Sequence, residues 1–281
     1  MAAIAYVNGD YRPLRDASVN IEDRGYQFGD GIYEVLYTYR GVPVDADLHL
    51  NRLARSLRAI ELPSPMSSAA LLIVIRQVLR RNRISNGLVY IQVTRGVARR
   101  DHPFPTPTSR PSLVITARRK PEPPDDISTW TAAAITLPDE RWGRCDIKSI
   151  NLLPNVLARQ AARRAGAYEA ILYDEQGNVT EGAASSVWIV NRDGLLLTRA
   201  LDRHILPGCT RAALIDALTM PILEASFSLD DLRAAREIFL TSATSFVKPV
   251  TRLDGAPVGN GAPGMVATAL FEQYIRRIKA L

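Results

Sequence analysis

The chain has 281 residues, 47% hydrophobic and 23% charged, which excludes wholesale disorder and suits one large or two modest domains. The formal net charge is +6, but only four of the 35 basic residues are lysines, and the arginines lie among acids along the whole chain, so no nucleic-acid partner is expected. The longest purely apolar run is seven residues, Ala69 to Ile75, too short for a membrane-spanning helix, and no membrane partner is expected.

The first residues, Met1 to Pro13, carry no basic start and no apolar leader, and read as the start of a mature cytoplasmic protein. Ile4 to Val7 reads as a strand followed by a turn at Asn8-Gly9-Asp10. Ile32 to Arg40 reads as a second strand, rich in Tyr, Val and Ile. Asp47 is expected to cap a helix in which Leu50, Leu53, Leu57 and Ile60 recur at helical spacing. Ser67 or Ser68 caps another, ending near Arg83. Val89 to Thr94 and Ser112 to Ala117 read as strands flanking a polar loop, Gly96 to Arg110. Three prolines within Pro121 to Asp126 then interrupt regular structure. The expected division is therefore a small α/β domain over 1–120, a linker over 121–126 and a larger, β-rich α/β domain over 127–281.

The second half is expected to open with a strand, Thr131 to Thr136, and a helix from Pro154 to Arg164 closed at Gly166. Strands follow at Glu169 to Tyr173, Val187 to Val190 and Leu195 to Thr198. A helix starts near Gly208-Cys209-Thr210, a strand runs from Glu237 to Thr241, and a last helix starts near Pro263. Strands and helices mix without strict alternation, which predicts an α+β fold. Gly259 to Gly264 matches GxGxxG, but only 17 residues follow it, too few to close a dinucleotide-binding unit. The two cysteines, Cys145 and Cys209, form no CxxC motif, and the three histidines lie too far apart to suggest a metal site.

In a lysine-poor chain each lysine merits inspection. Lys148 follows an apolar residue, and Arg141 and Arg144 lie nearby in sequence. Burial and neighbouring positive charge both favour the neutral amine that Schiff-base chemistry needs. Gly208-Cys209-Thr210 sets free N–H groups at a helix start, which suits a phosphate. Thr241 to Ser245, including Ala243 and Thr244, is a second cluster able to present amides to an anion, and Arg52 could add a charge-assisted bond. Thr180-Glu181-Gly182 sets a carboxylate beside small residues. A lysine, a phosphate cup and a carboxylate for a pyridinium nitrogen are what pyridoxal phosphate demands of a protein.

The sequence resembles the fold-type IV pyridoxal-phosphate aminotransferases, and within them the D-amino acid branch. The likeness rests on Glu22 to Val35, Arg144 to Leu153, Tyr168 to Leu172 and Thr180-Glu181-Gly182. The resemblance implies a two-domain enzyme with pyridoxal 5'-phosphate as cofactor, Lys148 as the Schiff-base lysine and Glu181 against the pyridine nitrogen. Arg52, Cys209, Thr210, Ala243 and Thr244 would surround the phosphate. It implies a homodimer with the active site at the interface. The D-amino acid branch traps the substrate α-carboxylate with an Arg-x-His pair on a loop plus a Tyr; Arg100, His102 and Tyr33 match. The implied reaction is ping-pong transfer of the amino group from D-amino acids, such as D-alanine or D-glutamate, to a 2-oxo acid. A branched-chain L-amino acid or (R)-amine transaminase, or an aminodeoxychorismate lyase, is the alternative on the same fold. The family's small-residue stretch after the glutamate is usually serine-rich, whereas this chain has Ala183-Ala184; a Thr is usual where it has Ala243.

Overall fold

A computed structural model describes residues 3–218 and 220–281. The chain divides into two compact units. The first runs through Glu122 and adds Ile147–Asn151 and Leu281; the second takes Pro123–Asp146 and Leu152–Ala280.

The first unit holds β1 (Ile4–Val7), β2 (Asp10–Pro13), α1 (Arg24–Phe28), β3 (Gly31–Tyr39), β4 (Val42–Pro43), α2 (Ala46–Ala59), α3 (Ser68–Arg81), β5 (Gly87–Thr94) and β6 (Ser112–Arg119). Its strands form one antiparallel sheet in the order β2-β1-β6-β5-β3-β4. The long central strands set the register: β3 and β5 pair from Gly31↔Thr94 to Thr38↔Gly87. Leu50, Leu53 and Leu57 put one face of α2 into a core with Ile32, Leu36 and Ile75. Each such side chain contributes roughly 1.5–3 kcal/mol when fully buried.

Local chemistry sets the helix starts. Ser67 caps α3, its hydroxyl accepting from Ala70 N–H at 3.2 Å. Asp47 does not cap α2. The helix begins at Ala46, two residues earlier than that cap would set, after Asp45 in the left-handed region (φ 50°), and Asp47 lies in the first turn, where its charge suits the positive helix end. The short α1 was not legible from periodicity. It is fixed by Asp23, which accepts from Gly25 N–H at 2.8 Å, and by Gly29 at φ 69°.

The outer edge of β3 is covered in two parts. β4 pairs with its C-terminal end, and residues 147–151 line its N-terminal end. Tyr33 N–H donates to the Lys148 carbonyl at 2.9 Å, and Ile150 N–H donates to the Gly31 carbonyl at 3.1 Å. A single boundary at 121–126 predicts that 147–151 belong to the second half. The structure puts this segment in the first unit, because the edge of β3 supplies its backbone partners.

The second unit holds β7 (Ala132–Pro138), α4 (Leu153–Arg164), β8 (Glu169–Tyr173), β9 (Val179–Gly182), β10 (Ser186–Val190), β11 (Leu196–Thr198), α5 (Cys209–Ala217), β12 (Ile222–Glu224), α6 (Leu229–Ala234), β13 (Glu237–Ser242), β14 (Phe246–Leu253), β15 (Ala256–Pro257) and α7 (Met265–Lys279). The sheet runs β12-β11-β10-β13-β14-β7-β8-β9, with β15 on β14. Three parallel pairs, β14 with β7, β7 with β8 and β11 with β12, sit among antiparallel ones, a mixed sheet without strict βαβ alternation. β14 has no clear strand signature because Pro249 interrupts it, yet Pro249 stands opposite Phe239 in the ladder. Among the described residues no helix is long and apolar enough to cross a membrane.

One glycine sets how closely α1 approaches β5. A Cβ on Gly25 would meet Thr94 Cγ2 at 2.2 Å. Gly25→Ala is expected to destabilise the protein by about 1–3 kcal/mol through overpacking, read as a lower urea midpoint. Thr94→Ser removes that methyl but keeps Cβ, which the added carbon would still meet at 2.7 Å, so the double variant should recover only part of the loss; equal midpoints for Gly25→Ala with and without it would contradict the methyl contact.

Candidate functional site

The backbone of the β3 edge fixes Lys148 in the first unit. Its N–H also donates to Ser56 Oγ of α2 at 3.3 Å. Its amine lies 3.4 Å from the Tyr33 hydroxyl and 4.4 Å from the centroid of that ring. Tyr33 in turn stacks on Tyr90, 5.8 Å away, whose phenol burial pushes up to about 12. Two predicted residues, Lys148 and Tyr33, therefore meet. The other lysines differ. Lys248 is buried, donates to the Trp130 carbonyl at 3.4 Å and lies 3.6 Å from the centroid of that ring. Lys279 pairs with Asp125 at 2.5 Å. Lys120 has its pKa lowered by burial and by Arg118.

Arg52 and His49 lie three residues apart on α2 and converge on Glu34 of β3. Arg52 binds both Glu34 oxygens, at 2.7 and 2.8 Å, and His49 Nδ1 lies 2.7 Å from Oε2. Glu34 is fully buried. Burial alone would raise its carboxyl, but the Arg52 charge, the Arg52 hydrogen bonds and His49 outweigh it and hold it at about 2. The guanidinium expected at a phosphate is thus oriented by a carboxylate that sequence reading did not single out. The available signal was the run Tyr33-Glu34-Val35 inside a strand, where a charged residue between apolar ones must have a partner.

Arg100 and His102 sit on the exposed loop that follows β5. Both approach Phe28 at the end of α1: the Arg100 guanidinium carbon lies 5.1 Å from the ring centroid, and the His102 ring lies 5.6 Å away.

In the second unit Glu181, buried on β9, is ion-paired with Arg141 and accepts from Leu206 N–H at 3.1 Å. Arg141 also binds both oxygens of Asp139, at 2.7 and 2.8 Å, and Thr180 Oγ1 donates to Asp139 at 2.6 Å. Burial opposes the Arg141 charge, but the bonds to Asp139 and the charges of Glu181 and Asp139 prevail, so its pKa is raised. Asp139 is lowered by the same pairing despite its burial. Arg141 is therefore committed to two carboxylates and Arg144 to Asp146, rather than standing as uncompensated charges. Burial pushes the Cys145 thiol up to about 12, which disfavours the thiolate that a nucleophile needs.

The two anion-binding segments expected from sequence belong to one region of the second unit. α5 begins after Gly208, which offers no side-chain cap. A Cβ on Gly208 would come within 2.7 Å of Ser186 Oγ, and Ser186 stands opposite Thr241 across the β10–β13 ladder. Past Thr241, the hydroxyl of Ser242 is 2.7 Å from Ser245 Oγ and 3.2 Å from Thr244 Oγ1 and accepts from the Thr244 and Ser245 amides; Ala243 contributes no hydroxyl there. Cys209 and Thr210 are both buried, and Thr210 Oγ1 has no hydrogen-bond partner among the described residues. A buried, unsatisfied hydroxyl at an uncapped helix start is what a bound anion would satisfy. Ala183 joins a small apolar cluster with Ala162 and Leu172, whereas Ala184 is exposed.

The family described as Amino-transferase class IV matches residues 31–253. A D-alanine aminotransferase of Staphylococcus haemolyticus is 40% identical over 278 residues, covering 98% of both chains. One from Listeria monocytogenes is 41% identical over 97% of this chain and 95% of its own. Among solved structures, the Escherichia coli branched-chain amino acid aminotransferase is 25% identical with a TM-score of 0.87, covering 98% of this chain and 94% of its own.

The Glu34 site makes acid stability testable. Its folded pKa lies below the ordinary value of 4.5, so the stability it contributes is present above about 4.5 and is lost as pH falls toward about 2. Urea midpoints of the wild type should decline across that window. Glu34→Gln should be less stable at neutral pH and show a shallower decline, the remainder coming from other lowered carboxylates such as Asp139; an unchanged slope in the variant would contradict the pairing.

Proposed function

The chain belongs to the class IV aminotransferases, and from that membership we infer that it is a pyridoxal 5'-phosphate-dependent transaminase, moving the amino group of D-amino acids to a 2-oxo acid. The observation that carries this reading is the full-length likeness to D-alanine aminotransferases. The match of Arg100, His102 and Tyr33 to a carboxylate trap supports it.

The residues present fit the cofactor. The orphaned Thr210 hydroxyl, the α5 start and the Thr244 turn suit its phosphate, with the backbone of Cys209 and Ala243; for Arg52 the phosphate role is the one that the family resemblance implies. Glu181 suits its ring nitrogen, an anion already set by Arg141 and Leu206. When bound, the cofactor supplies an aldehyde that takes up amino groups and a ring that accepts the electron pair released at the substrate α-carbon. Lys148 Nζ would hold it and would take the proton from the substrate α-carbon; the Tyr33 hydroxyl 3.4 Å away orients that amine. Arg100 offers a forked donor for the α-carboxylate, and His102 a directional one.

The reading includes a cytoplasmic homodimer whose partner subunit receives this loop. The exposure of Arg100 and His102 supports that arrangement, as do the outward apolar side chains Leu153, Val156 and Leu157 on α4.

Lys148→Ala should cost several orders of magnitude in turnover, since anchor and proton acceptor vanish together. Borohydride trapping followed by peptide mapping should label Lys148; a label on Lys120, Lys248 or Lys279 would end the assignment. Arg100→Ala should lower kcat/KM for D-alanine by about 10- to 100-fold through loss of charge-assisted bonds. Unchanged kcat/KM would remove the loop from substrate binding.

A further inference from the structure

The stretch Asp23 to Asp30 carries much of the family likeness, yet none of its residues has a role in the reading above. The structure supplies one. Arg24 and Arg95 are almost fully buried, and both donate through Nε to the same oxygen, Oδ2 of Asp30, each at 2.8 Å. Two guanidinium groups thus share one carboxylate, and their remaining donors must find acceptors inside the protein. Arg95 finds the carbonyls of Ile60 and Glu61, just past the end of α2, at 2.7 and 3.2 Å. Arg24 finds the carbonyls of Asp101 and His102, at 2.5 and 3.0 Å.

Those two carbonyls belong to the loop that carries Arg100 and His102. Phe28, one turn after Arg24, is flanked by the same groups: Arg24 lies 4.8 Å from its ring centroid, Arg100 5.1 Å and His102 5.6 Å. Arg95 also lies 3.6 Å from the ring centroid of Phe104, farther along the loop. Arg24 itself is pinned. Its N–H donates to the Gly96 carbonyl at 2.9 Å, and the absence of a side chain on Gly25 lets α1 lie against Thr94.

We propose that Arg24, seated on Asp30 and backed by Phe28, is a positioning residue that fixes the backbone of residues 100–102 and so sets the geometry of the carboxylate trap. Displacing the loop would leave buried guanidinium donors without acceptors, a cost that an ordinary surface loop does not carry. Arg24 touches no substrate; it acts through Arg100 and His102. The inference rests on the reading of those two residues as the carboxylate trap.

The test uses the holoenzyme of the wild type, Arg24→Gln, Phe28→Leu and Arg100→Ala. Three quantities are read: cofactor absorbance, backbone hydrogen exchange over residues 97–108, and KM and kcat for D-alanine. Arg24→Gln should keep its cofactor, exchange faster in the loop and raise KM roughly tenfold, with a smaller change in kcat. Phe28→Leu leaves the buried ion cluster intact and should shift exchange and KM in the same direction by a smaller factor. It carries the test if Arg24→Gln does not fold. Unchanged loop exchange in a folded variant overturns the clamp, whatever the kinetics. Faster exchange with unchanged KM overturns the positioning role. If Arg100→Ala then raises KM, the trap stands and only the clamp fails; if it does not, the reading of the loop as a trap has failed as well.

Discussion

The free edge of β3 is the constraint from which the proposed chemistry follows. A strand edge must be paired or covered, and here residues 147–151 do the pairing beside Gly31, Ile32 and Tyr33. The backbone bond from Tyr33 to Lys148 fixes the lysine in sequence register with the tyrosine. The 3.4 Å approach of amine to phenol is therefore a product of sheet geometry. Side-chain period on the same strand sends Glu34 the opposite way, toward α2, where it organises Arg52 and His49. One strand thus presents a lysine partner on one face and an arginine partner on the other.

Arginine usage follows a second rule. A chain this rich in arginine places several guanidinium groups out of water, and each lies with carboxylates or main-chain carbonyls. Arg52 has Glu34; Arg141 has Asp139 and Glu181; Arg24 and Arg95 share Asp30. Removing one partner from such a group costs more than an exposed ion pair ever contributes. These pairs act as fixed points from which neighbouring loops hang. Lysine could not substitute, since the forked donor reaches two acceptors at once.

Much of this was legible beforehand. The strand pattern of Glu169–Tyr173 matches its observed bounds, the Ser67 hydroxyl caps the helix predicted after it, and a helix begins after Gly208 as expected, without a side-chain cap. What escaped was set by distant partners. Pro249 hid β14, whose neighbours in the sheet override its local preference. α1 has only five residues, too few for a period to show. The docking of 147–151 onto β3 joins segments more than a hundred residues apart, and no local pattern encodes it. Among the chemical groups, Lys148, Glu181 and Thr210 stood out by residue type and context. Glu34, Asp30 and the partnership of Arg141 with Glu181 did not, because these buried ion pairs join residues 18 to 65 positions apart.

The central claim is a transaminase that selects the D configuration. The most direct test is a single-turnover half-reaction of purified holoenzyme with D-alanine and, separately, L-alanine, following pyruvate release. The account expects D-alanine to yield one equivalent of pyruvate per active site and L-alanine to react at least a hundredfold more slowly, as roughly 3 kcal/mol of discrimination would give. Equal rates for the two enantiomers, or a preference for L-alanine, would contradict it.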